Sequence, residues 1–306
     1  MDWELRILNM ATRMKTNPAP FEETFFSAPD GLRLHARIYA PVKASQGDVI
    51  CLPGLTRNCR DFHDLALHLA WAAERPKRVI AIDARGRGLS EYDGDFQNYN
   101  VVTEAGDVLA GLAALGIESA DFIGASRGGI LIHLLAAMEP TVLKRIVLND
   151  IGPVIEGEGL MRIKAALERA PKPKDWDDAV KIQRDLHGHE FPALTLGDWQ
   201  THARAIYKEA APGKIQADFD LKLLKTLTDI DPAVPIPDLW AQFTGLAARP
   251  MLSIRGENSK LLSRETVSEM KKRHSGMQEA TVTGQGHAPM LWTAGLPEKI
   301  AGFLGA

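Results

Sequence analysis

Ser126 stands at the centre of Gly124-Ala125-Ser126-Arg127-Gly128, between the run Ala120-Asp121-Phe122-Ile123 and the run Ile130-Leu131-Ile132-His133-Leu134-Leu135. That is Gly-x-Ser-x-Gly in a strand, sharp turn, helix setting, where the pattern acquires chemical meaning. A turn so tight crowds the backbone and needs small residues two positions either side of the serine. Gly124 and Gly128 meet that need, and Gly129 lets the new helix pack close to the sheet. The hydroxyl then projects from the turn, and the Arg127 amide begins a helix whose N-terminus favours negative charge. The chemistry implied is nucleophilic attack on a carbonyl.

A serine hydroxyl is a weak nucleophile at neutral pH and requires a neighbouring base. Of the nine histidines, His287 is the candidate. It lies in Gly284-Gln285-Gly286-His287-Ala288-Pro289, a loop directly after the last expected strand and C-terminal to the serine. His35 falls in a strand, and His63, His68, His133 and His274 fall in helices. The oxyanion produced by attack needs two backbone donors. Arg127 supplies one amide. Leu55, aimed inward by Gly54 in Leu52-Pro53-Gly54-Leu55-Thr56, supplies the other. His187-Gly188-His189 lacks a carboxylate or cysteine at ligand spacing, so it reads as a loop, and no metal is expected.

These groups need a scaffold, and 306 residues suffice for one large α/β domain with an insertion. A hydrophobic share of 45% and a charged share of 25% are those of an ordinary globular protein. The net charge of −3 gives no reason to expect nucleic acid as a partner. No apolar run reaches the roughly 18 residues that span a bilayer. The opening Met1-Asp2-Trp3-Glu4-Leu5-Arg6 does not resemble a signal peptide, so a cytoplasmic location is expected. Cys51 and Cys59 are expected as free thiols. Nothing in the chain speaks to oligomeric state.

Residues 1–20 read as a short amphipathic helix and a Pro-containing lead-in. Strands are expected at 22–28 and 32–40 around Pro29-Asp30-Gly31, then at 48–52, 78–83, 120–124 and 143–149. Helices are expected at 61–74, 101–115 and 127–138 between them. Such alternation indicates an α/β fold: a mostly parallel sheet of about eight strands flanked by helices. The alternation then stops, and 152–246 reads as helices broken by prolines, near 157–170, 175–187, 197–209 and 219–227. It resumes with a strand at 250–255, a helix at 264–274, a strand at 279–282 and a helix at 297–304. The expected organisation is a core of 1–152 and 247–306 with a helical cap, 153–246, inserted.

The motifs together resemble the α/β-hydrolase fold superfamily, in its capped form that includes esterases, lactonases and carbon–carbon bond hydrolases. Pro53-Gly54-Leu55-Thr56 is similar to that family's oxyanion loop, and Asp83-Ala-Arg85-Gly86-Arg-Gly88-Leu-Ser90 to its Asp-x-Arg-Gly-x-Gly-x-Ser turn. The turn is structural in the family and is assigned no chemistry. Its two glycines lack the third of a dinucleotide fingerprint, so no cofactor is expected. The resemblance implies a triad acid after the strand at 250–255, where this chain reads Arg255-Gly256-Glu257-Asn258-Ser259-Lys260. Lys260 occupies the expected aspartate position, and a cation there opposes the imidazolium that catalysis needs. Either Lys260 faces solvent and another carboxylate serves, or the chain is inactive. Asp150, at the end of the strand after the nucleophile helix, is the first replacement and Glu257 the second. Asp150 has a plainer reading as a cap for the Ile151-Gly152 amides.

Trp176, Trp199, Trp240 and Phe243 read as packing residues of the cap. Ile151, Trp240, Met290 and Trp292 are the expected pocket wall, which points to an apolar group of modest size. Arg127 has two expected placements, against a substrate carboxylate or against the cap. The expected activity is a cofactor-free serine hydrolase taking a small-molecule carbonyl substrate: ester, thioester or lactone. Carbon–carbon bond hydrolysis with the same residues and a non-catalytic ligand-binding protein on the same fold are the alternatives. Serine as nucleophile disfavours haloalkane and epoxide hydrolysis, which use a carboxylate.

Overall fold

The computed structural model describes residues 20–41, 47–228 and 236–305. The helix expected within 1–20 lies outside the described residues. An eight-stranded sheet forms the centre: β1 (Glu22–Ser27), β2 (Arg33–Tyr39), β3 (Asp48–Leu52), β4 (Arg78–Asp83), β5 (Ala120–Ala125), β6 (Leu143–Asn149), β9 (Met251–Gly256) and β10 (Gln278–Val282). Their order is β1-β2-β4-β3-β5-β6-β9-β10. β1 and β2 are antiparallel additions at one edge, and the remaining strands run parallel.

Parallel strands covered on both faces must be apolar on both. Ile50, Leu52, Phe122, Ile146 and Leu148 enter one buried cluster, and Val49, Cys51, Ile123 and Val147 enter the other. Full burial of each such side chain contributes about 1.5–3 kcal/mol. The helices α1 (His63–Leu67), α2 (Val101–Ala114), α3 (Arg127–Met138), α9 (Arg264–Arg273) and α10 (Leu296–Gly305) flank the sheet. Cys51 and Cys59 are both buried and free. Among the described residues no helix is long and apolar enough to cross a membrane.

The chain runs from β3 out to β4, then returns to the other side of β3 with β5. Strand order therefore reverses between β3 and β5, and in such sheets the crevice beyond the carboxyl ends of the strands is the binding site. Register aligns the site-bearing ends: Leu52 pairs with Gly124, Ala125 with Asn149, and Asn149 with Ile254.

Between β6 and β9 the chain forms α4 (Gly157–Arg169), α5 (Trp176–His187), α6 (Leu196–Ile206), the hairpin β7 (Tyr207–Ala211) and β8 (Lys214–Ala217), α7 (Lys225–Thr228) and α8 (Trp240–Gly245). The hairpin corrects the expectation of helices throughout. A helix was expected to 209, but α6 stops at Ile206 and the backbone extends from Tyr207. Pro212-Gly213 supplies turn chemistry, with Gly213 at φ 74°, and Tyr207 is buried by the pairing. Trp199 belongs to a small cluster of this segment with Ala203, Tyr207 and Met290. Phe243 packs into the main core instead.

Candidate active site

Ser126 leaves β5 with φ 51° and ψ −116°, a left-handed conformation that costs a non-glycine residue about 1–3 kcal/mol. Its neighbours have no room to be larger. A methyl group on Gly124 would lie 2.6 Å from Gly128 C, and one on Gly128 would lie 2.0 Å from Leu52 O. The close approach of α3 to the end of β3 is what holds the elbow in its strained form.

His287 meets Ser126 across the sheet edge, with Nε2 2.8 Å from Oγ. On the other side of the ring, Nδ1 lies 2.8 Å from Asp150 Oδ2. Asp150 follows β6 at φ 58° and its side chain is fully buried. It does not cap Ile151 and Gly152. Its Oδ1 accepts from Gly256 N at 2.7 Å, and its Oδ2 accepts from Ser259 Oγ at 2.5 Å. A carboxylate so surrounded only accepts, so Nδ1 of His287 carries the proton and the Nε2 lone pair faces the serine.

The loop after β9 therefore supplies donors to the acid instead of the acid itself. Glu257 turns away and accepts from the Gly284 amide at 2.9 Å. The Lys260 side chain is exposed. Ser259 was not singled out by the sequence, since a serine in a loop carries no signal until its partner is known. The His287 loop is fixed by Gln285, which donates to Thr293 Oγ1 at 2.7 Å and accepts from Met290 N at 2.8 Å. Asn149 Nδ2 donates to Pro289 O at 2.9 Å.

Among the described residues, the amides of Leu55 and Arg127 have no hydrogen-bond partner. Both residues are held by one buried carboxylate. Glu104, from α2, accepts from Arg87 Nη1 at 2.7 Å and from Arg127 Nε at 2.6 Å. Arg87 Nε in turn donates to Leu55 O at 2.7 Å. Burial pushes the Glu104 carboxyl up, but the Arg87 and Arg127 guanidiniums outweigh it and the group sits below its usual range. The Arg127 side chain also donates to Tyr99 O at 2.9 Å, so its guanidinium is held by Glu104 and the Tyr99 carbonyl. Arg87 stands in the Asp83–Ser90 turn that was assigned no chemistry, and it reaches the loop beside Ser126.

A cavity of about 820 Å³ opens over these groups. Gly54, Leu55, Ser126 and His287 line it from the sheet edge, and residues of α4, α5, α6 and β8 line it from the other side. Met290 and Trp292 line it as expected. Ile151 and Trp240 do not. Ile151 is buried against Gly129 beneath the elbow, and Trp240 stacks under the Arg273 guanidinium, 4.0 Å from its carbon, on an outer face. Ile151 directly follows Asp150 in sequence, whereas Trp240 packs against the main core beside Phe243.

One end of the cavity is polar. Arg57 donates through Nε to Asp61 Oδ2 at 2.7 Å, and its Nη2 also reaches Asp61 Oδ1. Its Nη2 lies 3.4 Å from His202 Nδ1. Burial, reinforced by the Arg57 charge, pushes His202 well below the usual imidazole range and His187 down to about 4. Both rings are neutral at pH 7. Away from the cavity, His35, Cys59 and Asp83 place potential metal-ligand atoms within 4.8 Å of one another. The Asp83 oxygens there already accept from Cys59 N at 2.7 Å and Leu89 N at 3.0 Å.

Residues 49–299 match the Alpha/beta hydrolase family. Over 247 residues, 79% of this chain and 82% of the relative, the chain is 30% identical to the 3-hydroxybutyrate-oligomer hydrolase of Cupriavidus necator. It is 24% identical over 234 residues to the 2-(acetamidomethylene)succinate hydrolase of Mesorhizobium japonicum, covering 76% of this chain and 79% of that one. The crystal structure of an alpha/beta hydrolase from Novosphingobium aromaticivorans superposes with a TM-score of 0.85 at 36% identity, over 94% of this chain and 99% of that chain. With the family match running from β3 into the last helix, the chain belongs to the alpha/beta hydrolase family and is a hydrolase.

Proposed function

We propose that the chain is a serine hydrolase that cleaves a small, largely apolar carboxylic ester through an acyl-enzyme intermediate. The observation that carries this reading is the unbroken contact from Ser126 Oγ through His287 to Asp150, each step 2.8 Å. In this mechanism His287 Nε2 takes the hydroxyl proton as Oγ attacks the carbonyl carbon. The oxyanion accepts from the Leu55 and Arg127 amides, which are otherwise unpaired. Collapse breaks the ester bond, and His287 returns the proton to the leaving oxygen. A water molecule, deprotonated by His287 in turn, hydrolyses the acyl-serine. Asp150 holds the tautomer and balances the imidazolium.

The segment 153–246 acts as a cap over the sheet edge, because the cavity is walled by both. Its volume of about 820 Å³ suits a ligand larger than a single short acyl group. The relative at 30% identity is named for 3-hydroxybutyrate oligomers, whose units are joined by esters. The non-catalytic alternative drew its force from Lys260, and with that side chain exposed and Asp150 on His287 the geometry favours turnover.

A fluorophosphonate probe read by intact mass tests the proposal. One adduct per chain is expected on the wild type and none on Ser126→Ala. An unlabelled, folded wild type, or an adduct that persists in Ser126→Ala, sinks it. A chain-length series of nitrophenyl esters then measures the acyl site.

A further inference from the structure

The polar end of the cavity has more donors than it uses. Arg57 engages Asp61 side-on, through Nε and Nη2, and its Nη1 has no hydrogen-bond partner among the described residues. Nη2 is shared between Asp61 and His202, so Nη1 is the open donor of the guanidinium. Since arginine only donates, the 3.4 Å contact makes His202 Nδ1 an acceptor, which leaves the ring proton on Nε2. His202 is buried at 8% exposure and lines the cavity, yet its Nε2 has no partner among the described residues. Both nitrogens of His187, a half-buried lining residue, also lack a partner among the described residues. These nitrogens are not sealed from solvent but open onto the cavity, where an entering ligand can pair with them.

The chemistry of that ligand follows from the donor excess. A hydroxyl or amide brings a donor of its own, whereas a carboxylate only accepts and suits the open, charged Nη1 donor. The position is close to the reacting atoms: a methyl group on Gly54 would lie 3.2 Å from Arg57 Cγ and 3.6 Å from Ser126 Cβ. We propose that Arg57, His187 and His202 form a carboxylate subsite, so that the preferred ester carries a free carboxylate a few bonds from the scissile carbonyl. The proposal rests on the serine-hydrolase reading, which places the ester at Ser126. Asp61 serves there to hold the guanidinium in place.

The test separates binding from turnover. Calorimetry on Ser126→Ala compares 3-acetoxybutanoate with the isosteric 3-acetoxybutanamide. The carboxylate is expected to bind at least about tenfold tighter, the scale of a charge-assisted hydrogen bond. Adding Arg57→Gln should bring the two affinities within about threefold, and Arg57→Lys, which keeps the charge but loses the fork, should recover only part of the difference. Equal binding of the two probes, binding of neither at millimolar concentration, or a preference unchanged in Arg57→Gln overturns the subsite. The fluorophosphonate result on the wild type is independent of all three, so a failed subsite and a failed hydrolase reading give different patterns. The comparison of probes on Ser126→Ala needs no change at Arg57, so it stands even if the Arg57 variants do not fold.

Discussion

The two walls of the cavity are built on different terms. On the sheet-edge wall, the polar side chains that hold the reacting groups are fixed: Asp150 has a partner for each oxygen, Glu104 joins two guanidiniums, and Gln285 both donates and accepts. On the facing wall Gln183 donates to Tyr207 Oη at 2.8 Å, but His187 has no partner among the described residues and His202 has one long contact. A fixed wall suits chemistry, because donors already aimed at developing charge need no reorganisation when the reaction occurs. An under-satisfied wall suits selection, because its hydrogen bonds are completed only by what enters. Variants of the first wall should lower kcat or stability, and variants of the second should change which substrate is taken.

The largest separation is expected from Asp150→Asn, which keeps the shape of the triad but inverts the hydrogen bond to His287. Steady-state kinetics should show kcat lower by about 10⁴-fold. Retention of more than about a tenth of the wild-type rate would remove Asp150 from the machinery. Next comes Glu104→Gln, which leaves two buried guanidiniums without a counter-charge and should reduce the urea unfolding free energy by about 3–5 kcal/mol. His187→Gln, on the other wall, should change it by less than about 1 kcal/mol at pH 8. Equal losses would erase the distinction between the walls.

Acid should expose the same contrast. Burial pushes His133 and His187 down to about 4, and pushes His202 well below the usual range. An unfolded histidine titrates near 6.5, so between about 6.5 and 4 the unfolded chain binds more protons than the folded one. Stability is therefore full above that window and falls as pH drops through it, by up to about 3 kcal/mol for His133 alone. Denaturant midpoints that do not move between pH 7.5 and pH 4.5 would contradict the buried, neutral state of these rings.

Two smaller effects concern the loop after β9. Ser259→Ala removes one donor to Asp150 and should lower kcat about tenfold, with Ser259→Thr restoring most of it. A rate unchanged in Ser259→Ala would show that the Gly256 amide alone holds the acid. Lys260→Ala should leave kcat/KM within about twofold, since an exposed cation is screened by solvent. A marked gain in rate would mean that Lys260 acts on the triad after all.

The core elements were legible because their signals are local. The expected limits of α3 and β6 coincide with the observed ones, since a glycine-bounded turn and an alternating apolar run lie in contiguous residues. The hairpin at Tyr207–Ala217 was obscured by a helical pattern that persists across its start. Its Pro212-Gly213 turn was visible but read as a helix break. Ile151 and Trp240 were misplaced for different reasons: Ile151 follows Asp150 but turns beneath the elbow, and Trp240, an aromatic residue of the inserted segment, packs on the main core instead.

Ser126 in its strained elbow and His287 in its Gly-bracketed loop were determined by the chain itself, because steric demand within a turn is a property of neighbouring residues. Which carboxylate meets His287 was decided by tertiary structure. β6 lies beside β9, so the end of one strand delivers Asp150 while the last residue of the other, Gly256, and Ser259 in the loop after it reach its two oxygens. The same holds for Arg57 and His202, which lie 145 positions apart and meet only where the inserted segment folds over the sheet edge. Strand adjacency and long-range packing are relations between distant segments, and no single stretch of sequence encodes them.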